Sequence, residues 1–541
     1  MSAFSPLPLG RRIPPTPHAV SCSLPTMRDV RGYEEKDPAV MRQLTSGYPR
    51  FVVHPFTRQL AGHLVATSPA QGRADRTLWL TSSGRMARML AAHLGGPPVA
   101  GTAGDSVPAD AEVFSRDGLH GVSHQTSAAH SARAKLFLQH IGGFLSSREA
   151  EDHLVGLGLL AAPFAEKSFS GDAAAEIRRV LRGAFPGTAD ADLLLANCGM
   201  NAIHAAFRAS ADLQARRGRT VWLQLGWLYL DTIAILKKFA GTSADYVHVR
   251  DPLDRAGLER IFRQHGDRIA GVFAELPTNP LLETPDVAAL SALCRQHGAH
   301  LLLDPSVASV FNLDVLRHAD VVVSSLTKYT ASEGDLTAGV VAINPANPDK
   351  DELRHRAATG LEPVYARELA RLAAQIGETE SVLATIHANT ARVAAFLEKQ
   401  PGVRDVFWAL HPNSRENFRR IARTPDATGG LISFTLRTPM EPFYDRLRLP
   451  KGPSFGMKAT LVCPFMYLAH YDLVTSPAGL AELSASRLDP DLVRLCCGTE
   501  PAEDIIAALA EALAAGGTCG ENDALKQEPR RDSGCSPPTG G

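Results

Sequence analysis

A lysine that directly follows an apolar, β-branched run is the residue best placed in this sequence to do chemistry. In VVVSSLTKYT, residues 321–330, a predicted buried strand ends in hydroxyl side chains and Lys328 follows at once. Burial disfavours the charged ammonium, and a deprotonated amine can attack an aldehyde carbon. The hydroxyls of Ser325 and Thr327 are small hydrogen-bond donors that suit a phosphate group. A surface lysine just past a strand is the alternative interpretation.

An aspartate ends another predicted strand, HLLLD, upstream of that lysine. Because the carboxyl ends of parallel strands meet at one edge of a sheet, we expect Asp304 and Lys328 at the same edge. A carboxylate there can pair with a protonated pyridine nitrogen and make the ring an electron sink. Helix capping is the alternative role for Asp304.

Three further segments bring candidate ligand contacts to the ends of predicted strands. In LLLANCGM, the backbone at Gly199 and Met200 can approach a phosphate at the start of a helix. In GWLYLDTIAI, Tyr229 can stack on a planar ring or serve as a core aromatic residue. In ELPTNPLLETPD, Asn279 lies between two prolines, where a plain turn is the alternative.

Buried strands alternate with helical patterns through the middle of the chain. This alternation predicts an α/β fold with a mainly parallel sheet covered by helices, whose ligands lie beyond the carboxyl ends of the strands. A helix is predicted at 287–297, and strands are predicted at 220–225, 269–274, 300–304, 319–325 and 338–343.

The pattern changes after about residue 365 to a smaller α+β domain. It predicts a long helix at 379–399, strands near 430–436, 459–463 and 492–497, and a last helix that begins at Pro501. We therefore divide the chain into an N-terminal extension (1–145, its first 35 residues extended), a large domain (146–365), a C-terminal domain (366–515) and a disordered tail (516–541).

Charge and composition favour a small-molecule partner. The chain has 56 basic and 57 acidic residues and a net charge of −1, so neither nucleic acid nor a membrane surface is an expected partner. No run approaches the roughly 18 apolar residues that a membrane span needs. The proline-broken N-terminus lacks the pattern of a secretory signal, so we expect a cytoplasmic protein. The eight cysteines show no metal-ligand spacing, which predicts reduced thiols and no metal.

The order of five motifs in this sequence resembles that of the Cys/Met-metabolism family of pyridoxal-phosphate enzymes. The motifs are GM, LY, E-x-PTNPLL, LLLD and SxTKY. The segments KGPSFGMKATLV and LVRLCCGTEPAEDIIAALAEAL are similar to that family's substrate-facing loop and closing segment, so the resemblance covers about residues 145–515. It implies pyridoxal 5′-phosphate (PLP) as the cofactor. It also implies fold type I, a large domain with a mainly parallel, seven-stranded sheet and a smaller C-terminal α+β domain.

The resemblance implies a role for each matching residue. Lys328 would form the Schiff base with PLP and shuttle protons, and Asp304 would hold the pyridine nitrogen. Tyr229 would stack on the ring and assist in acid–base catalysis. The phosphate would be held by Gly199, Met200, Ser325 and Thr327.

On the substrate side, the resemblance assigns the α-carboxylate to Arg494, because a guanidinium grips a carboxylate with two parallel hydrogen bonds. Asn279 and Ser454 would assist near cofactor and substrate. An ion pair within the small domain is the alternative role for Arg494.

The N-terminal segments PLGRRIPPTPHAVSCSLPTMRDVRGYEE and SGYPRFVVHPF are similar to the extension of fungal-type cystathionine γ-synthases. This similarity predicts a γ-replacement that joins an O-activated homoserine to cysteine. The alternatives are an O-acetylhomoserine sulfhydrylase, a cystathionine or methionine lyase, and a non-enzymatic regulatory or binding protein.

One element of the family pattern is missing where we expect it. Family members carry a Tyr-x-Arg that reaches the phosphate of the neighbouring subunit, which implies a homodimer or homotetramer. The corresponding segment here, LFLQHIGGFLSSREAE, has no such pair. Gln139, His140 or the segment Phe114-Ser115-Arg116 are the candidate substitutes.

Overall fold

A computed structural model describes residues 3–46, 48, 52–67, 75–95 and 111–514. The predicted disordered tail, residues 516–541, lies outside the described residues.

The chain begins with a short antiparallel pair and two helices: β1 (Arg12–Ile13), β2 (Ser21–Cys22), α1 (Met27–Glu34) and α2 (Pro38–Met41). A capping box explains where α1 starts, because the Thr26 hydroxyl accepts a hydrogen bond from the backbone N–H of Asp29, and the Asp29 carboxylate accepts one from Thr26. The expectation that the first 35 residues are extended is therefore wrong for residues 27–34.

The next elements form a small three-stranded unit: α3 (Pro55–Ala66), β3 (Arg76–Thr81), α4 (Gly84–Gly95), β4 (Glu112–Arg116), β5 (Leu119–Gln125), α5 (Ala128–Ile141) and α6 (Ser147–Gly156). The sheet is antiparallel in the order β3-β5-β4. Two apolar clusters of its own stabilise it, one around Leu90 and Leu138 and the other around Leu60 and Leu154.

A seven-stranded sheet follows, in the order β6-β12-β11-β10-β9-β7-β8. Its strands and the interleaved helices are α7 (Ala173–Ala184), β6 (Leu193–Ala196), α8 (Gly199–Ala215), β7 (Val221–Leu225), α9 (Leu230–Phe239), β8 (Tyr246–Val249), α10 (Arg255–His265), β9 (Ile269–Glu275), α11 (Val287–His297), β10 (His300–Asp304), β11 (Val321–Ser325) and β12 (Gly339–Ile343). β12 runs antiparallel to both of its neighbours, and the other pairings are parallel. The predicted mainly parallel seven-stranded sheet is confirmed.

Burial on both faces explains the apolar runs in these strands. β7, β9, β10 and β12 are buried at every position, with one large apolar cluster on each side of the sheet. β9, β10 and β11 are adjacent and parallel, so the side chains that follow them meet at one edge.

α12 (Lys350–Gly360) packs against α8, and α13 (Ala366–Ile376) packs against α7. The remaining elements build the smaller α+β part: α14 (Thr379–Leu397), β13 (Val403–Trp408), α15 (Arg415–Ile421), β14 (Leu431–Leu436), α16 (Met440–Arg446), β15 (Leu461–Pro464), α17 (Phe465–Ala469), α18 (Tyr471–Val474), α19 (Pro477–Ala485), β16 (Val493–Cys496) and α20 (Ala502–Ala514). Its sheet is antiparallel in the order β13-β14-β16-β15. Among the described helices, none is long and apolar enough to cross a bilayer.

Candidate active site

Lys328 is a buried lysine at the carboxyl end of β11. Its side chain is enclosed, with 7% of the residue exposed. The Nζ atom donates a hydrogen bond to the Ser454 hydroxyl at 2.5 Å and lies 4.5 and 4.8 Å from the ring centres of Tyr48 and Phe455. The alternative of a solvated surface lysine is therefore wrong.

Asp304 lies at the end of the neighbouring strand β10. Its Oδ1 accepts hydrogen bonds from the backbone N–H (2.9 Å) and the hydroxyl (2.5 Å) of Ser306. Burial raises the pKa of this carboxyl to about 6, although the two bonds from Ser306 oppose the rise. Asp304 does not cap a helix, because the residues that follow it form turns.

Ser306 joins the ends of the two strands. Its hydroxyl accepts a hydrogen bond from the backbone N–H of Ser325 at 2.7 Å, and the same hydroxyl lies 3.3 Å from the Ser324 hydroxyl. Ser306 thereby holds Asp304 and Ser325 in fixed relative positions. The sequence analysis did not identify it.

The start of α8 and the end of β11 together make an anion-binding corner. A Cβ atom added to Gly199 would lie 2.7 Å from the Ser325 Cβ, so only glycine allows this approach. The Ser325 hydroxyl is buried and has no hydrogen-bond partner among the described residues. A buried, unpartnered hydroxyl beside the free N–H groups of a helix start fits a phosphate.

Thr327 is not part of this corner. Its hydroxyl accepts a hydrogen bond from the backbone N–H of Ala338 at 3.1 Å, and it does not line the cavity. The phosphate contact expected of Thr327 therefore stays a prediction, and the position seen here braces the loop after Lys328.

Arg494, on β16, faces the cavity from the small domain. Its guanidinium lies 5.2 and 4.5 Å from the ring centres of Phe455 and Phe465, donates to Asn279 Oδ1 at 3.2 Å, and donates to the carbonyl of Ser454 at 3.4 Å. These acceptors are neutral, so the positive charge remains for a bound carboxylate. Neither aromatic ring was identified from the sequence.

Glu275 is a second buried acid that the sequence analysis missed. It ends β9 directly opposite Asp304, and its Oε1 accepts a hydrogen bond from the backbone N–H of Tyr229 at 2.5 Å. Its Oε2 is buried and unpartnered among the described residues, and burial, followed by the charge of Asp304, raises the pKa well above its usual value. An acid at the end of an apolar strand is the same signal that identified Asp304.

These side chains surround one cavity that opens to solvent. The cavity brings together all the predicted site residues except Thr327: Gly199, Met200, Tyr229, Asn279, Asp304, Ser325, Lys328, Ser454 and Arg494. This set of groups fits PLP together with an amino acid. Lys328 supplies an amine, Asp304 an acid for the ring nitrogen, and Arg494 a guanidinium for a carboxylate. Ser325 supplies a hydroxyl for the phosphate, one without a partner among the described residues.

The proposed substitutes for the Tyr-x-Arg pair lie elsewhere. The Gln139 amide donates to Asp231, the His140 ring lies 3.7 Å from the same carboxylate, and the Ser115 hydroxyl contacts His120. None of Gln139, His140 and the segment 114–116 lines the cavity.

A tyrosine from the N-terminal extension lines the cavity instead. Tyr48 lies over Lys328, and in the sequence it is followed by Pro49 and Arg50, which gives a Tyr-x-Arg. Pro49 and Arg50 lie outside the described residues. The sequence itself contains this Tyr-x-Arg, but it lies farther upstream than residues 136–151 and 114–116, where the pair or its substitute was expected.

This chain is similar to known PLP-dependent enzymes over most of its length. Residues 187–514 match the family model of the Cys/Met metabolism PLP-dependent enzyme. L-2-amino-4-chloropent-4-enoate dechlorinase/desaturase of Streptantibioticus cattleyicolor is 40% identical over 504 residues, which cover 93% of this chain and 97% of that protein. Cystathionine γ-synthase of Neurospora crassa is 26% identical and covers 94% of this chain and 98% of that protein.

Solved structures share the fold. Cystathionine γ-lyase from Lactobacillus plantarum, complexed with L-serine, superposes with a TM-score of 0.54 at 21% identity, over 64% of this chain and 87% of that one. Cystathionine γ-synthase from Xanthomonas oryzae, in complex with aminoacrylate and cysteine, gives a TM-score of 0.53 at 20% identity, over 65% of this chain and 92% of that one. The predicted PLP-enzyme fold is thereby confirmed.

Proposed function

Because this chain belongs to the Cys/Met metabolism family of PLP-dependent enzymes, we propose that it expels a leaving group from the γ-carbon of an L-α-amino acid. The observation that carries the proposal is the position of the Lys328 amine in one cavity with Asp304 and Arg494. Both relatives named above support γ-carbon chemistry, since one removes the chlorine on C4 of its substrate and the other is a γ-synthase.

Arg494 would bind and orient the substrate. Its guanidinium can hold the α-carboxylate with two hydrogen bonds, and Asn279 fixes its plane. The rings of Phe455 and Phe465 cover the guanidinium and exclude water, which strengthens the ion pair. The substrate is thereby held by its carboxylate, with its side chain free to reach the rest of the cavity.

Lys328 would move the protons. PLP, when bound, supplies an electron sink for the negative charge that develops beside Cα. The Nζ atom of Lys328 can take the proton from Cα and then one from Cβ, and it can return one proton to carbon after the leaving group departs. The Ser454 hydroxyl at 2.5 Å directs that amine. The carboxylate of Asp304 would hold a positive charge on the ring nitrogen.

The lining of the cavity favours a small leaving group without a negative charge of its own. Among its described lining residues, Lys328 and Arg494 are the basic ones, and both already have a role. The remaining substrate-side wall is largely apolar and includes Phe455, Phe465 and Leu468. This wall suits a chlorine substituent better than a phosphate or a succinyl group, so we propose dechlorination with desaturation, a net loss of HCl.

A γ-replacement that joins an O-activated homoserine to cysteine, as in cystathionine γ-synthase, is the second candidate. The Neurospora relative supports it, since that protein matches 94% of this chain, including the N-terminal extension. In this reaction a cysteine thiol would add where the leaving group departs. A homodimer or homotetramer is proposed in either case.

A direct assay separates the two candidates. Purified holoenzyme would receive L-2-amino-4-chloropent-4-enoate, or O-acetyl-, O-succinyl- or O-phosphohomoserine, each with and without cysteine or sulfide. We expect release of chloride and a product lighter by one HCl, whether or not a thiol is present. Cystathionine formed at a higher kcat/KM would overturn dechlorination in favour of γ-replacement.

Two lysine variants identify the catalytic amine. Lys328→Ala should lower turnover by at least about 10³-fold, because the proton shuttle is lost. Lys458→Ala is the matched control, since Lys458 forms ion pairs with Glu333 and Glu378 and does not line the cavity. Near-normal turnover in Lys328→Ala would refute the assignment.

A further inference from the structure

We infer that the three-stranded unit positions the active-site corner that fits the phosphate of PLP, and that Asn201 is the positioning residue through which it acts. The corner consists of the start of α8, at Gly199 and Met200, and the hydroxyl of Ser325. None of the described residues of the three-stranded unit lines the cavity, so the unit acts on the site from outside. The inference concerns the binding of PLP and does not rest on the proposed γ-carbon chemistry.

The end of α5, in the three-stranded unit, lies against the first turn of α8. The carbonyl of Ile141 accepts a hydrogen bond from the Asn201 amide at 3.2 Å, and the carbonyl of Gly142 accepts one from the Asn197 amide at 2.8 Å. Asn197 precedes the backbone of the corner in the sequence, and Asn201 follows it. Two carbonyls at the end of one helix therefore hold both sides of the turn that forms the corner.

Gly142 makes this close contact possible. It ends α5 with a φ of 75°, in the left-handed region that favours glycine. A Cβ atom added there would lie 2.4 Å from the Cys198 Sγ atom and 2.8 Å from the backbone nitrogen of Asn201. The two segments are thus in direct contact, and a side chain at position 142 would displace the start of α8.

A second connection reaches Asn201 through a buried glutamate. Glu362, just before α13, is 1% exposed, and its carboxylate accepts hydrogen bonds from two residues of the three-stranded unit, Ser82 at 2.6 Å and Arg85 at 2.5 Å. The backbone N–H of Glu362 donates to Asn201 Oδ1 at 2.8 Å. The Asn201 side chain is fully buried, and its Nδ2 and Oδ1 atoms each have a backbone partner. The unit therefore holds this side chain from two directions.

These contacts act on a bound phosphate through the backbone of α8. An anion at a helix start is held by N–H groups, and their positions must match its oxygens. Asn201 lies in that same first turn, so loss of its side chain frees the turn and leaves the backbone N–H of Glu362 without this acceptor. The hydrogen bonds of Asn201 do not involve Asp304 or Lys328, the residues expected to hold the ring and its aldehyde.

The test compares PLP with pyridoxal, which has the same ring and aldehyde but no phosphate. The PLP-free full chain would be titrated with each compound, and the change in absorbance on binding gives the Kd. Asn201→Ala should raise the Kd for PLP about 10-fold, because the phosphate loses a fixed corner. The Kd for pyridoxal should change less than about 2-fold, since pyridoxal does not use the corner.

Asn389→Ala is the matched control. Asn389 is a buried asparagine on α14 whose amide also donates to backbone carbonyls, and it does not line the cavity. This variant should change neither Kd. Asn197→Ala removes one hydrogen bond between α5 and the corner, so it should weaken PLP selectively by about 3-fold. It replaces Asn201→Ala in the test if circular dichroism shows that Asn201→Ala does not fold.

Two results would overturn the inference. The first is equal weakening of PLP and pyridoxal, which would mean that the site as a whole is damaged and that the unit has no specific effect on the phosphate. The second is an unchanged Kd for PLP in the folded variant. Both titrations are made without substrate, so they can succeed even if the proposed γ-carbon chemistry is wrong.

Discussion

Two buried acids at adjacent strand ends have raised pKa values for the same reason but suit different roles. Burial is the first cause for both Asp304 and Glu275. Asp304 receives two hydrogen bonds from Ser306, which favour its anion and leave its pKa at about 6. Glu275 receives one bond, has a second oxygen without a partner in the part of the chain that the structure describes, and faces the charge of Asp304. Asp304 is thus the better partner for a positively charged ring nitrogen.

The Asp304 carboxyl should make the stability of the PLP-free protein depend on pH. Its pKa in the folded protein is about 6, above the usual 3.8. The stability that the protonated carboxyl contributes is therefore complete below pH 3.8 and is lost as the pH rises through about 6. Asp304→Asn should therefore gain stability over wild type, by up to about 3 kcal/mol, between pH 4 and pH 7.5. Urea unfolding of the PLP-free proteins at several pH values measures this.

Asp472→Asn is the matched control, since Asp472 is exposed. Addition of PLP should stabilise wild type more than Asp304→Asn, because only the carboxylate can neutralise a ring cation. Parallel pH profiles for wild type and Asp304→Asn would contradict this account of the site.

At the scale of elements, one buried arginine connects α6 to the region after Lys328. Arg148 is fully buried and pairs with Glu166 at 2.6 Å and with Glu368, on α13, at 2.7 Å. Its guanidinium also donates to the carbonyl of Asp335 at 2.9 Å. Asp335 follows Lys328 in the chain, so this network helps to hold the loop that leaves the active site.

Loss of that arginine should be costly. Arg148→Met would leave the buried Glu368 without an ion-pair partner among the described residues and remove one of the partners of Glu166, so we expect the free energy of unfolding to fall by about 3–5 kcal/mol. Arg179→Met removes an exposed arginine paired with Glu176 on α7 and should leave the free energy of unfolding almost unchanged, because water screens an exposed ion pair. Denaturant unfolding of both variants measures the difference, and equal effects would show that the network does not stabilise the fold.

At the scale of the whole molecule, the first and last parts of the chain share one core. Leu24, Met27 and Val30 pack in the same apolar cluster as Phe434 and Leu509 of the small domain. The three-stranded unit around Leu60 has a separate core. The predicted N-terminal extension, residues 1–145, therefore contains two parts with different packing partners.

This division predicts which regions loosen together. Leu24→Ala, at a fully buried position, should cost about 2–5 kcal/mol and increase hydrogen exchange in β14 and α20. Leu60→Ala should instead increase exchange in β3 and β5, because Leu60 lies in the core of the three-stranded unit. Unchanged exchange in α20 after Leu24→Ala would contradict a shared core.

Sequence alone was enough for the features that short segments encode. The helix at Val287–His297 and the strand at His300–Asp304 have the predicted bounds, because period and burial are local properties. Lys328 and Asp304 could be paired from sequence, because the edge where parallel strands end is a consequence of topology. The family model confirms the family and the PLP cofactor that these motifs implied.

Tertiary structure decided the rest. Three features depend on contacts between distant parts of the chain. They are the antiparallel direction of β12, the hydrogen bond between the Thr327 hydroxyl and the backbone of Ala338, and the position of Tyr48 over Lys328. No local period encodes such a contact, because its free energy comes from burial that exists only after the separate segments have packed.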